Sequence, residues 1–119
     1  MEFLEKPQFL NKKKLFENQK EIKAIIDYTE GRKIEIRTNK WNNTEYLLPL
    51  HLENGKKAVI GLWYSDMITL GKSLGFSESD KWEGLSVKIK AVKIVNSQGK
   101  EGFAWVVQNA NVIEVINAK

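Results

Sequence analysis

One tryptophan in this sequence stands in a polar loop between two predicted strands. Trp41 stands in the polar stretch 38–43, directly after Lys40 and four residues after Arg37. An exposed indole ring can stack on an unpaired nucleobase, while nearby cationic side chains hold the phosphates on either side. The arrangement therefore predicts a site that binds single-stranded nucleic acid by stacking. The alternative is that the loop folds back over the domain and buries Trp41.

Further aromatic and basic residues are candidates for the same chemistry. Tyr46 alternates with aliphatic residues, as do Phe103 and Trp105, and this is also the pattern of a buried strand face. Trp63 and Tyr64 are adjacent, so we expect one to be buried and the other accessible. Taken singly, each lysine is better explained as a solvated surface residue, so the prediction depends on several of them lining one groove. The candidates besides Trp41 are Lys33, Arg37, Lys40, Tyr46, Lys57, Trp63, Lys88, Lys90, Phe103 and Trp105.

The residue types that carry out catalysis or bind metal ions are scarce. The chain has no cysteine, which excludes thiolate zinc sites, iron–sulfur clusters and cysteine nucleophiles. Its one histidine, His51, has no acid–base partner near it in sequence beyond Glu53, and the carboxylates show no metal-ligand spacing. The eight glycines are scattered rather than gathered in a phosphate-binding loop. We therefore predict that the chain is not an enzyme and uses no metal ion or cofactor.

Composition and charge fit a small domain with a polyanionic partner. The 119 residues are 42% hydrophobic and 29% charged, which suits one globular domain that folds without disulfides. The formal net charge of +4 favours polyanions, and the excess of lysine over arginine favours phosphate contacts over base readout. The start lacks the pattern of a leader peptide, and no apolar run reaches the ~20 residues of a membrane helix. We expect a cytoplasmic protein without a membrane partner.

Hydrophobic periodicity predicts a mostly β chain. Residues 1–20 are predicted to be a basic arm or short helix, and a second helix of about ten residues should begin at Ser65 or Asp66 and stop at Gly75. The first two strands are expected to form a hairpin around residues 29–31, and a parity change at Ala91 and Val92 predicts a β-bulge. The predicted strands are 21–28, 33–37, 44–52, 57–63, 85–95, 103–107 and 112–116.

If residues 44–63 count as one unit, a long third strand or hairpin, the order is strand, strand, third unit, helix, strand, strand. This order predicts a five-stranded OB-fold, an all-β Greek-key barrel with one short helix between its third and fourth strands. The barrel domain would span residues 21–119, with the helical arm of residues 1–20 in front of it. Closure of the barrel would remove the exposed sheet edges. The competing fold is an open antiparallel sheet with the helix on one face.

The second half of the chain adds a resemblance. A helical segment ends in Leu74-Gly75, and after a short spacer Trp82 and Gly84 precede an alternating strand. Over residues 67–116 this pattern resembles small OB-fold proteins of archaeal, phage and plasmid replication systems. The resemblance implies largely sequence-independent binding of single-stranded DNA without catalysis. It also implies that Trp82 anchors the core and that Gly84 allows a tight entry into the strand.

Two other functions fit the same sequence. An RNA-binding protein would use the same aromatic and basic residues, and no feature of the sequence separates it from a DNA-binding one. A protein-interaction module, such as an accessory subunit in replication or in a virus, would use the surface of the domain to hold a partner. A homo-oligomer is compatible with each of these functions.

Overall fold

The computed structural model of the protein describes residues 8–18 and 20–111 and is mostly β, with 43% strand. This confirms the predicted class. The helices are α1 (Lys12–Glu17) and α2 (Tyr64–Leu74), and short 3-10 turns lie at Thr29–Gly31 and Ser79–Trp82. The strands are β1 (Gln8–Phe9), β2 (Ile22–Ile26), β3 (Glu35–Thr38), β4 (Thr44–Leu52), β5 (Lys57–Leu62), β6 (Ser86–Val95) and β7 (Glu101–Asn109).

These strands form one sheet in the order β1-β5-β4-β2-β6-β7, and β3 pairs with β4 beside this path. Every pairing is antiparallel except the short parallel one between β1 and β5. Among the described residues no strand pairing links β7 back to β5, so the sheet is not closed by hydrogen bonds. Helix α2 packs against both β7 and β4, and helix α1 packs against β6 and β7.

The predicted hairpin of residues 21–28 and 33–37 is wrong. Ala24 to Ile26 pair with Leu52 to Leu50, and Glu35 to Thr38 pair with Leu47 to Thr44. β2 and β3 therefore lie end to end along β4, and residues 27–34 loop out between them. Arg32 holds this loop to the sheet by donating to Leu50 O (3.2 Å) and Ala58 O (2.9 Å).

The β-bulge expected at Ala91 and Val92 is also wrong. β6 and β7 pair without interruption from Val87 opposite Asn109 to Val95 opposite Glu101. The apolar parity changes because Val92 and Ile94 are half-buried on the face of the strand opposite Ala91. β7 extends two residues past the predicted end at Val107, and the strand predicted at 112–116 lies outside the described residues.

Helix α2 begins earlier than the sequence suggested. Trp63, not Ser65 or Asp66, occupies the N-cap position, and its backbone N–H donates to Asp66 Oδ2 at 3.1 Å. The helix stops at Gly75 as predicted, where φ is +84°, a conformation that glycine adopts without strain. The expected helix within residues 1–20 is α1, where Asn11 Oδ1 accepts from the backbone N–H of Lys14 at 3.1 Å. Residues 1–7 of the predicted arm lie outside the described part.

The core lies between the inner face of the sheet and helix α2. Trp82 is only 2% exposed, in agreement with its predicted place in the core. Its indole N–H donates to Phe76 O at 2.8 Å. Every second residue of the strands points into the core, because successive side chains of a β-strand point to opposite faces of the sheet. The fully buried aliphatic residues of this core are Ile26, Leu48, Leu50, Ala58, Ile60, Leu62, Leu70, Val87 and Ile89.

Candidate nucleic-acid interface

The residues of β3, β4 and β5 that alternate with the core positions form the outer face of the sheet. Directly opposed residues of an antiparallel pair point to the same side, so the register defines this face. Arg37 on β3 is opposite Glu45 on β4, and Leu47 on β4 is opposite Gly61 on β5. Pro49, His51, Lys57 and Val59 continue the face along β4 and β5.

Five residues from different elements meet on this face in what we call the outer cluster: Phe9, Lys12, Arg37, Glu45 and Trp63. The Arg37 guanidinium donates to Glu45 Oε2 from Nε (3.2 Å) and Nη2 (3.1 Å), and its central carbon is 4.8 Å from the centre of the Phe9 ring. Lys12 Nζ is 5.6 Å from the ring centre of Trp63. The outer cluster thus combines two cations with two partly exposed aromatic rings.

Glu45 links the outer cluster to the β3–β4 loop. Its Oε1 accepts from Asn39 Nδ2 at 2.7 Å. That hydrogen bond is the largest cause that lowers the pKa of Glu45 below its ordinary value of 4.5, and the hydrogen bond and charge of Arg37 add to it against the opposing effect of burial. The charge of Lys12 acts in the same direction. Glu45 is therefore ionised at neutral pH and fixes the position of both its donors.

The close approach of Glu45 to β5 depends on Gly61. A Cβ atom at position 61 would lie 2.6 Å from Glu45 Oε2, closer than non-bonded atoms can approach. The missing side chain leaves room for the carboxylate to lie across β5. The glycine thus allows the Glu45 contacts with Arg37 and Asn39.

The β3–β4 loop presents Trp41 to solvent. Asn39 Oδ1 accepts from the backbone N–H groups of Trp41 and Asn43, both at 3.0 Å, so the turn is held by its own side chain. Trp41 is 69% exposed, and Lys40 Nζ is 4.5 Å from the centre of its ring. The alternative in which this loop buries Trp41 does not occur. The loop instead displays an indole ring with a cation on it.

Trp63 and Tyr64 lie at the junction of β5 and α2, and both are exposed, by 43% and 64%. The expectation that one of them is buried is wrong, because the chain leaves the sheet at this point and neither neighbour packs into the core. The two side chains nevertheless lie on opposite sides of the sheet. Trp63 belongs to the outer cluster, whereas the Tyr64 ring is 6.0 Å from that of Tyr46 on the inner side.

The remaining basic candidates are spread over the outer side of the sheet. Lys33 lines a small groove of about 230 Å³ together with Phe9 and the outer face of β4. Lys57 lies on the outer face but forms an ion pair with Glu30. Lys88 and Lys90 point outward from β6, where Lys88 is opposite Lys23 of β2, so they lie across the sheet from the outer cluster. Among the predicted cations, Arg37 belongs to the outer cluster, Lys33 shares a groove with Phe9, and Lys40 lies on the β3–β4 loop beside Trp41.

Three predicted aromatic residues do not join this surface. Trp105 is 5% exposed and has no ring face available to a base, so its assignment as a stacking residue is corrected to the core. Phe103 is on the same inner side, with its ring 5.2 Å from that of Phe16. Tyr46 is half-buried beside Tyr64. These three residues alternate with aliphatic ones because they share the core-facing side of their strands.

Phe9 and Lys12 were missed as individual site residues. The sequence does carry a signal for them, because lysines follow apolar residues in the stretch 9–16, but nothing local indicates where this segment packs. The parallel pairing of Phe9 with Val59 places it beside the outer face of β5. That contact joins residues 50 positions apart and leaves no pattern in the sequence.

Metal and membrane sites can be assessed for the described part of the chain. In residues 8–18 and 20–111, no group of three or more histidine, aspartate or glutamate side chains is placed to hold a metal ion. His51 Nδ1 lies 3.6 Å from Asp27 Oδ2, and this pair has no third partner of that kind. None of the helices in these ranges has the length and apolar character needed to cross a bilayer.

No protein family model matches the chain, and no curated protein matches it significantly in sequence.

Proposed function

We propose that this protein is an OB-type domain that binds single-stranded nucleic acid, preferentially DNA, on its outer face without catalysing a reaction. Trp41 would stack on a base at the tip of the β3–β4 loop, and the outer cluster would continue the path. Lys33, Arg37 and Lys40 would contact the sugar–phosphate chain. The observation that carries the proposal is the exposed Trp41 ring, held on a hydrogen-bonded loop beside Lys40.

The order of the strands supports the OB-type assignment. β2 and β3 lie end to end along β4, so together they act as one long, interrupted strand. Counted in this way, five long strands follow one another, with α2 between the third and the fourth, as in an OB-fold. OB domains bind single strands across their second and third strands, which here are β4 and β5. The outer cluster lies on that part of the sheet.

The charges on this part of the surface favour a polyanion. In and near the outer cluster lie the four cations Lys12, Lys33, Arg37 and Lys40, against the two carboxylates Glu35 and Glu45. Farther along the outer face, the charge of Lys57 is balanced by its ion pair with Glu30. Each phosphate that a cation neutralises releases condensed counterions, so binding should weaken steeply as salt is raised. Lysine makes point contacts with phosphate, which suits binding that tolerates any sequence.

The test is a titration of fluorescently labelled oligo-dT with the full chain at two salt concentrations, in which fluorescence anisotropy measures the bound fraction of the oligonucleotide. The wild-type protein should bind, and Trp41→Ala should weaken binding about 5- to 150-fold, the equivalent of the ~1–3 kcal/mol that one base–aromatic stack contributes. Circular dichroism should show that Trp41→Ala remains folded, because the ring makes no core contact. Unchanged affinity in a folded Trp41→Ala protein would contradict the proposal.

Trp63 and Tyr64 provide a matched pair of variants. The residues are adjacent, aromatic and exposed, but they lie on opposite sides of the sheet. If the outer face binds the strand, Trp63→Ala should weaken binding and Tyr64→Ala should leave it nearly unchanged. The reverse order would move the site to the inner side.

Competition with other polynucleotides tests the ligand class. Unlabelled oligo-dT should displace the probe at lower concentration than a duplex of the same length, because paired bases have no free face for stacking. Oligo-U of equal length tests the preference for DNA. Stronger displacement by the duplex would contradict stacking, and stronger displacement by oligo-U would make RNA the ligand.

A further inference from the structure

Strand β3 has one paired edge and one open edge. Among the described residues it pairs only with β4, and all four of its residues are exposed. The backbone N–H of Asn39 donates to Asn43 O at 2.9 Å, and residues of an antiparallel strand alternate between facing the partner and facing away. The polar backbone groups of Glu35 and Arg37 therefore face β4, whereas those of Ile36 and Thr38 face the open edge.

The side chains at this edge are unusual for a solvent-exposed strand. Ile36 is 67% exposed and lies at an apolar groove of about 820 Å³ between β3 and α2, lined in part by Tyr46, Tyr64 and Ile68. Edge strands of monomeric proteins are usually protected by charges, proline or a covering segment. β3 does carry two charges, Glu35 and Arg37, but they have opposite signs, and no segment among the described residues covers the exposed isoleucine beside the apolar groove. An apolar side chain exposed beside an apolar groove is typical of a surface that associates.

We propose that two copies of this chain associate through β3, antiparallel to each other and related by a two-fold axis at Ile36. In this register Ile36 of each copy is opposite Ile36 of the other. Glu35 of one copy is then opposite Arg37 of the second copy, and the reverse pair forms across the axis. A two-fold contact of this kind closes on itself and gives a dimer rather than a chain of molecules.

The charges of β3 favour this register over the neighbouring ones centred on Glu35 or Arg37. A register centred on Glu35 would set the two Glu35 carboxylates opposite each other, and one centred on Arg37 would do the same for the guanidinium groups. Like charges directly opposite each other destabilise strand pairing, whereas opposite charges stabilise it. The two-fold axis could also lie between two residues. Each residue whose backbone groups face the open edge would then be opposite a residue whose backbone groups face β4, so the hydrogen bonds between the two copies could not form. The self-complementary order Glu35-Ile36-Arg37 is what identifies the occupant of this edge as a second copy.

The same register covers the exposed apolar surface. Ile36 points to the inner side, since it is opposite Tyr46 on β4. Both Ile36 side chains would therefore meet on that side, beside the grooves of the two copies. The two outer faces would lie together on the other side of the joined sheet.

Cysteine crosslinking tests the register, because the chain contains no cysteine. In the full chain, Ile36→Cys should form a disulfide-linked dimer under mild oxidation. Thr38→Cys is the matched control on the same strand, exposed and with its backbone facing the same open edge. The two residues at position 38 would be about 14 Å apart along the strands, so this variant should stay uncrosslinked. Crosslinking of Thr38→Cys that equals or exceeds that of Ile36→Cys, or no crosslinking of either variant, would overturn the proposal.

A charge exchange tests the pairing without any crosslink. Sedimentation equilibrium should show wild-type dimers, while Glu35→Lys and Arg37→Glu should each be monomeric because each places like charges opposite each other. Mixing the two variants should restore a dimer, in which opposite charges face each other again. A wild-type chain that stays monomeric at every concentration, or two folded variants that do not associate when mixed, would refute the interface. The readout is mass, so the result does not depend on whether the outer face binds nucleic acid.

Discussion

Replacing Trp82 separates the core from the candidate site most clearly. The indole is almost completely buried, its N–H donates to Phe76 O, and its ring packs directly on the backbone of Gly71, where an added Cβ would lie 3.4 Å from Trp82 Cζ2. We expect Trp82→Ala to leave a cavity under α2 that the rigid sheet cannot fill. Large-to-small changes of this kind lower the free energy of unfolding by about 3–5 kcal/mol.

A second variant, Trp82→Phe, separates the contributions of packing and of hydrogen bonding to this loss of unfolding free energy. Trp82→Phe keeps most of the apolar volume but leaves Phe76 O without its donor, which should cost about 1–3 kcal/mol. Urea denaturation followed by far-ultraviolet circular dichroism measures both variants. For a domain of this size, Trp82→Ala should lower the melting temperature by about 10–25 °C.

The control is Trp63→Ala, which removes the same ring from the surface and should change stability by less than about 1 kcal/mol. Well below its melting temperature, Trp82→Ala should still bind oligo-dT nearly as tightly as the wild type, since Trp82 lies on the inner side of the sheet. A loss of stability below about 1 kcal/mol for Trp82→Ala would refute the assignment of this residue to the core.

Two further predictions concern Glu45. A carboxylate whose pKa is lowered in the folded state contributes stability above its ordinary pKa of 4.5, and this contribution disappears as the pH falls through the lowered value. The difference in unfolding free energy between wild type and Glu45→Gln, measured in urea across this acidic range, should therefore shrink as the pH falls, and a difference independent of pH would contradict the ionised contacts. Gly61→Ala should displace the carboxylate from Arg37 and destabilise the chain by about 1–3 kcal/mol, the loss of one or two charged hydrogen bonds. Gly102→Ala is its control in another strand, where the nearest side-chain atom is 4.0 Å away, and equal effects of the two substitutions would show that crowding of Glu45 is not the cause.

The parts of the fold that could be predicted from the sequence are those fixed by local interactions. The hairpin of β4 and β5 follows from Asn54-Gly55, where Gly55 has a φ of +84°. Two backbone hydrogen bonds close the turn, one from Leu52 N–H to Lys56 O and one from Gly55 N–H to Leu52 O. The end of α2 follows in the same way from Gly75. In both places one residue with special backbone freedom decides the structure, so a single sequence is sufficient.

The pairing of β2 and β3 could not be predicted in this way. Alternation of apolar and polar residues is the same whether two strands pair with each other or each pairs with a third. The choice is made by the loop of residues 27–34, where Asp27 accepts from the backbone N–H of Thr29 at 2.9 Å and Arg32 reaches two carbonyls of β4 and β5. Those contacts join residues up to 26 positions apart, so the pattern of neighbouring residues in the sequence does not predict them.

The position of Glu45 explains how a carboxylate fits into a surface proposed to bind phosphates. An exposed, unpaired acidic residue there would repel the ligand. The Glu45 side chain is instead only 16% exposed, and both of its oxygens accept hydrogen bonds, one from Asn39 and one from Arg37. Its charge is therefore largely compensated within the protein, and its contacts hold the Trp41 loop and the guanidinium in fixed positions relative to each other. Glu45 then acts as a positioning residue, which is why its substitution should affect binding through the order of the loop and not through a direct contact with the ligand.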